Sequence, residues 1–196
     1  MKPSEQSESG PSIPSLDVAS GDKRPPNPIA LVNTYAERAN AHDIRAIMEM
    51  FAEDAQFELL GQAMLSGPAA IQALQEYDKG LNSTTAFYGC TADGLSATCR
   101  ASERNDWLEA AGLGEISYTS VVFTFTEAGR IQRIVATASP EDGAAIGRVL
   151  AVFTPWLLAE RPQRSAPLFN VDGQFVYSEA NGVLVVKLLR EWQAGR

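Results

Sequence analysis

Basic residues are scarce in this chain, and so are cysteine and histidine. Sixteen Lys and Arg against twenty-four Asp and Glu leave a formal charge of −8 over 196 residues. No run of basic residues interleaved with aromatics occurs, which argues against duplex DNA or RNA as a partner, because phosphate recognition needs clustered Lys and Arg. One histidine, His42, and two cysteines, Cys90 and Cys99, do not make a zinc site. No apolar run approaches the roughly 18 residues that span a bilayer, so no membrane partner is expected. The opening stretch, MKPSEQSESGPSIPSLDVASGDKRPPNP, lacks the apolar core of a secretory signal. No glycine-rich phosphate loop follows a strand, and no metal or organic cofactor is implied. These absences give a cytoplasmic expectation.

What is present suits a folded chain with a sizeable core: 45% hydrophobic and 20% charged residues. Residues 1–26 are rich in Ser, Pro, Gly and charge, the composition of a disordered arm. Asn27 and Pro28 open a first helix, with Val32, Tyr35, Ala36 and Ala39 at helical spacing. Asp43 caps a second, whose apolar face is Ile44, Ile47, Met48 and Phe51. Ala55–Leu60 reads as a strand ended by Gly61. Ser66 or Gly67 precedes a third helix from Pro68 that buries Ile71 and Leu74.

Extended chemistry then takes over. Thr84–Ala92 and Leu95–Glu103 form a hairpin, Ile116–Thr126 is dense in β-branched and aromatic residues, and Ile131–Ala138 returns as its partner. Helices first and antiparallel strands afterwards give an α+β class. Past Pro140 an apolar stripe, Ile146, Val149, Leu150, Phe153, Trp156 and Leu157, marks a helix containing Pro155. RPQRSAP reads as a linker, Phe169–Tyr177 as a small hairpin around Asp172-Gly173, and Ser178 as the cap of a last helix. The division is an arm (1–26), a domain (27–140) and a C-terminal extension (141–196) of helix, hairpin and helix, with extra core packing as the plain reading of its apolar stripe.

The turn of the first hairpin decides the cysteines. An Asp93-Gly94 turn sets Cys90 and Cys99 diagonally, as free thiols, which a reducing cytosol also favours. A turn centred on Gly94-Leu95 sets them directly opposite and allows a disulfide.

The Tyr35 helix, NAHD at 40–43, FAEDAQFE at 51–58, SGPAAI at 66–71 and FTEAGRIQRI at 125–134, in that order, resemble the nuclear-transport-factor-2-like superfamily in its SnoaL-like and ketosteroid-isomerase-like branch. The resemblance spans about residues 27–140. It implies a cone-shaped, strongly curved, mixed or antiparallel sheet wrapped around the N-terminal helices, with a hydrophobic pocket inside. It also implies a small apolar molecule as partner and an isomerase, polyketide-cyclase or hydrolase type of enzyme. Fold alone does not settle function. A non-catalytic ligand-binding or dimerisation module is the alternative.

Carried over residue by residue, Tyr35 matches the family's oxyanion tyrosine. The base position falls at Leu59 and that of the protonated Asp near Val121, so the usual isomerase base is lost. Glu58 is the acid nearest the lost base, although alternation with Leu59 points it away from the pocket. On the clear strand, Ser117, Thr119, Val121, Phe123 and Phe125 share the cavity face. Tyr118, Ser120, Val122 and Thr124 then face outward, where a homodimer could form. Arg100 turns in when counted from the family pattern and out by the alternation of Leu95, Ala97, Cys99 and Ala101. The site expected is thus Tyr35 and Glu58 as catalytic groups, with Leu59, Met48, Tyr88, Thr119, Val121, Phe123 and Arg100 binding the ligand. Glu103 to Trp107 read as a solvated loop at the rim, and His42 as a solvated turn residue.

Overall fold

Five side-chain caps and four helix-opening prolines fix where the helices begin. The computed structural model describes residues 26–60 and 63–196; the expected arm, apart from residue 26, and the strand-ending Gly61 lie outside the described residues. The Asn27 side chain accepts from the Ile29 and Ala30 amides at 3.1 and 3.4 Å and starts α1, Pro28–Asn40. Asp43 caps α2, Ile44–Met48, through the Ala46 amide at 3.1 Å. This helix is shorter than its apolar spacing suggests. Phe51 belongs instead to β1, Phe51–Leu59, because the Ile131 amide bonds to the Met50 carbonyl and recruits the chain into the sheet.

A short β2, Ala63–Ser66, precedes α3, Pro68–Gly80. The hairpin is β3, Thr84–Asp93, and β4, Ser96–Arg104. Asn105 caps a one-turn α4, Asp106–Ala110, by accepting from the Leu108 amide at 2.8 Å. Strands β5, Glu115–Phe125, and β6, Ile131–Ala138, complete a six-stranded sheet in the order β2-β1-β6-β5-β4-β3. The β1–β6 pair is parallel and every other pair antiparallel. This is a mixed α+β architecture with an open sheet.

Two local irregularities move side chains away from their expected faces. The hairpin loop is Gly94-Leu95, since Asp93 pairs with Ser96 and Ala92 with Ala97. Gly94, at φ +55°, takes the first central position, where a type II′ turn needs a residue free of a Cβ penalty. The Asp93-Gly94 turn and free thiols are therefore corrected: Cys90 comes opposite Cys99, with Cα atoms 4.1 Å apart, and the two form a disulfide. In β5, Tyr118 pairs with Ala138 but Ser120 with Thr137, so one extra residue, Thr119, is accommodated there. The same slip appears against β4, where Cys99 faces Val121 and Ala101 faces Tyr118. A bulge of one residue exchanges the faces on either side of it. Val121, Phe123 and Phe125 point into the core, but so do Ile116 and Tyr118, while Thr119 is exposed.

The extension is mostly helical. Ser139 caps α5, Pro140–Glu160, which runs through Pro155. The expected linker forms α6, Pro162–Ser165, followed by a single 3-10 turn at Ala166–Leu168. The expected hairpin reduces to one bridge, Phe169 to Phe175, before Ser178 caps α7, Glu179–Ala194. By length and composition α5 would suffice to cross a bilayer, though the sequence shows no continuous apolar run. Here it buries Phe153 and Leu157 and leaves Leu150, Val152 and Leu158 exposed.

Two apolar clusters result. One lies within the curved sheet around Val32, Tyr35, Phe123 and Ile134. The other joins Trp107, Leu108 and Ile116 to Phe153, Leu168 and Leu188 of the extension. Tyr118 packs against both. Helices α3 and α7 cross in close contact: a Cβ on Gly182 would lie 2.6 Å from the Tyr77 carbonyl oxygen, and one on Gly80 would overlap the Glu179 carbonyl.

Candidate functional site

Between the two clusters lies a cavity of about 470 Å³, walled by the sheet, α1, α3 and the extension. Its inner end is apolar, with Phe57, Leu59, Phe87, Val121 and Phe123 on the wall. The extension supplies Leu150, Phe153, Phe169, Phe175 and Tyr177 at the other end. Cavities of this form, apolar with a few convergent polar groups, are the usual shape of small-molecule sites.

The polar groups gather at the waist. Glu103 on β4 accepts three hydrogen bonds: from the Tyr118 hydroxyl at 2.7 Å, the Asn105 amide at 2.8 Å and the Ser83 hydroxyl at 3.3 Å. Asp78, in the last turn of α3, also lines the cavity, and no hydrogen bond reaches its carboxyl among the described residues. Its remaining surface is partly open, on the cavity side. Burial and then the negative charge of Glu103 hold the Asp78 carboxyl well above the usual carboxylate range. The carbonyl end of α3 works in the same direction, since a helix C-terminus disfavours an anion. The Asp78 carboxyl thus keeps its proton to higher pH than an ordinary carboxyl does.

Tyr35 stands beside this pair. Its ring meets Phe123, Phe51 and Phe87 at centroid distances of 5.6, 6.1 and 6.3 Å. Burial raises its hydroxyl above the ordinary phenol value and Asp78 adds to the rise, while the Gln75 side chain partly offsets it through a hydrogen bond. Burial also raises Tyr77 and Tyr118, reinforced by Asp78 for the first and by Glu103 for the second. These hydroxyls stay protonated and act as donors.

The structure places Tyr35, Leu59, Val121 and Phe123 on the cavity wall. The other expected site residues lie elsewhere. Glu58 binds Arg133 at 2.6 Å on the opposite face of the sheet, as alternation with Leu59 requires. Arg100 is outward and sits over the ring of half-exposed Tyr88, 5.1 Å from its centroid, because β4 keeps regular alternation. Thr119 is displaced by the bulge and donates to the Thr137 carbonyl at 3.2 Å. Met48 packs at the edge of the sheet cluster and is not on the cavity wall.

Asp78 and Glu103 are the groups that the sequence reading passes over, and both carry a signal. Ile71, Leu74, Gln75 and Asp78 share one helical stripe, and Ala97, Cys99, Ala101 and Glu103 share one strand face. Glu103 is therefore not in a rim loop: Asn105 and Trp107 continue directly into α4, with Trp107 buried. His42, half-buried at φ +52°, also borders the cavity. Among the described residues no group of three or more His, Cys, Asp or Glu side chains is placed to hold a metal ion.

No family model and no curated protein matches the chain. Solved structures do. An epoxide hydrolase/cyclase-like enzyme of pyran ring formation in polyether salinomycin, SalBIII, aligns over 58% of this chain and 92% of its own, at 24% identity and a TM-score of 0.52. A Mycobacterium tuberculosis LEH-like epoxide hydrolase aligns over 65% and 94%, at 15% identity and 0.51. A second M. tuberculosis protein, solved with estradiol-17beta-hemisuccinate, aligns over 58% and 95%, at 12% identity and 0.50. At such identities the likeness concerns the backbone. The protein has the fold of the nuclear-transport-factor-2-like superfamily, its sheet forming the cone and residues beyond Pro140 an added wall.

Proposed function

We propose that this protein is a small-molecule enzyme of the isomerase, cyclase or hydrolase type, using Asp78 as its proton-transfer group on a small, largely apolar substrate. One observation carries the reading: a carboxyl with raised proton affinity and no hydrogen-bond partner among the described residues, on the wall of an apolar cavity with hydrogen-bonded Glu103 and beside a buried tyrosine hydroxyl. A titratable group in a cavity whose burial and charged neighbour displace its proton affinity is a usual mark of an acid–base site. The usual isomerase base is lost, Leu59 and Val121 standing in place of the family's carboxyls, and Asp78 on α3 supplies the acid from a different element.

The chemistry follows from these positions. Tyr35 donates to a carbonyl, epoxide or hydroxyl oxygen of the substrate and orients it. Asp78 delivers its proton to that oxygen as negative charge develops there, and recovers one from the carbon or water that completes the reaction. Burial, and then Glu103 with its three donors, raise the proton affinity of Asp78 beforehand. Proton transfer by a positioned side chain contributes about 100- to 10,000-fold.

The test uses apolar enones and epoxides incubated with the protein in deuterated water, with NMR reading deuterium incorporation or ring opening. Asp78→Asn is expected to lower turnover by about 100-fold or more while substrate still binds. Turnover at the wild-type rate in Asp78→Asn, or in Tyr35→Phe, would remove the role assigned to that residue. The aliphatic pair Leu59 and Val121 favours a second reading, a binding module without turnover. That reading expects saturable binding and no reaction from the wild-type protein.

A further inference from the structure

The charged side chains on the cavity wall are of one sign. Asp78 and Glu103 are both there, and among the described residues no lysine or arginine lines the cavity. An anionic ligand would therefore meet two carboxyls and no counter-charge. The carboxyls also sit midway, with the sheet cluster on one side and the extension's cluster on the other. Beside Asp78, the rings of Tyr77, Phe175 and Tyr177 stand in mutual edge-to-face contact, each pair 5.4 Å between centroids. Their faces carry the negative lobe of the ring quadrupole, which attracts cations.

From this arrangement we infer that the cavity selects a lipophilic amine, its protonated nitrogen at the Asp78–Glu103 waist and an apolar arm reaching into each cluster. The inference rests on the pocket reading above and narrows its substrate class. Hydrogen-bond capacity supports it. A carboxylate offers about four acceptor sites. Glu103 has three in use, and Asp78 has all of its own free of side-chain donors among the described residues. A secondary ammonium carries two N–H donors, one for each carboxyl. A neutral ligand of the same shape leaves the two carboxyls facing each other.

Calorimetry with two isosteric probes tests this. Dibenzylamine, protonated at pH 7, and dibenzyl ether share two apolar arms and differ at the central atom. Wild-type protein is expected to bind the amine about 10-fold or more tightly than the ether, the usual size of a charge-assisted hydrogen bond. Asp78→Asn and Glu103→Gln, each verified as folded by its melting curve, are expected to shrink that preference toward unity by weakening the binding of the amine. Equal or tighter binding of the ether by the wild-type protein overturns the amine inference, as does a preference that survives both substitutions. Failure of both probes to bind overturns it as well. None of these results bears on the isotope-exchange experiment, so the acid–base reading stands or falls separately.

Discussion

Burial of the Asp78 carboxyl comes at the expense of the fold, and the sign of that effect is testable. In the unfolded chain its carboxyl titrates near the ordinary value of 3.8. In the native state burial and Glu103 keep it protonated to higher pH. The native state therefore binds more protons between the two values, and stability falls as pH rises from about 4 until the folded carboxyl has ionised. Asp78→Asn removes this slope. Melting curves of variant and wild type are expected to converge near pH 4, with the variant melting higher at pH 7; parallel curves across that range would contradict the burial of an acid here. Destabilised groups of this kind are a common cost of function. The residue was legible in principle. Gln75 and Asp78 follow Ile71 and Leu74 at positions four and seven of one helical stripe, and a polar residue on an apolar stripe is more informative than the stripe itself. Glu103 extends the strand alternation of Ala97, Cys99 and Ala101 by one more step. In both cases the apolar members mark the face and the acid completes it.

At the scale of elements, the position of the extension depends on two glycines. Gly80 and Gly182 let α3 and α7 approach backbone to backbone, and that contact carries Phe175 and Tyr177 toward Asp78. A methyl group at Gly182 meets carbonyl oxygen and main-chain carbon rather than a side chain that can swing away. Gly182→Ala is expected to cost about 1–3 kcal/mol in urea denaturation, the range of an overpacked core. Gly143→Ala in α5, where nothing lies within 4 Å, serves as control and is expected to be stabilising by about 0.4–1 kcal/mol. An equal response at both sites would show that backbone freedom, not helix contact, sets the effect. Most element boundaries could be read from caps and periodicity: Asn27, Asp43 and Ser178 each accept the expected amide. The cysteine pairing could not be settled that way. Asp-Gly and Gly-Leu are both workable two-residue loops, and choosing between them requires knowing which strand face is buried.

For the whole molecule, the cone is incomplete as a container without residues 141–196. Phe153, Leu157 and Tyr177 close the cavity, and Trp107, Leu108 and Ile116 would lie open to water without α7. A chain ending after Pro140 is expected to bind a hydrophobic dye several-fold more strongly than the full chain and to melt without a cooperative transition. A truncated domain that stays soluble and melts sharply would show the extension to be an appendage. The overall shape was readable because motif order survives where identity does not. The wall added by the extension was not, since an amphipathic stripe reports that a face is buried without naming what covers it.

The Thr119 bulge has a further consequence. Upstream and downstream of it, β5 obeys opposite conventions about which side is indoors. Closing the bulge while all eleven residues are kept would preserve the composition of the strand but send Tyr118 and Ile116 out to solvent, and turn Ser117 and Thr119 inward. Glu103 would then lose one of its three donors and the second cluster one of its ring walls, with no catalytic or core residue substituted. The chemistry of this cavity is thus written in arithmetic as much as in amino acids, and a comparison that aligns residue types while letting gaps float will misassign its inventory.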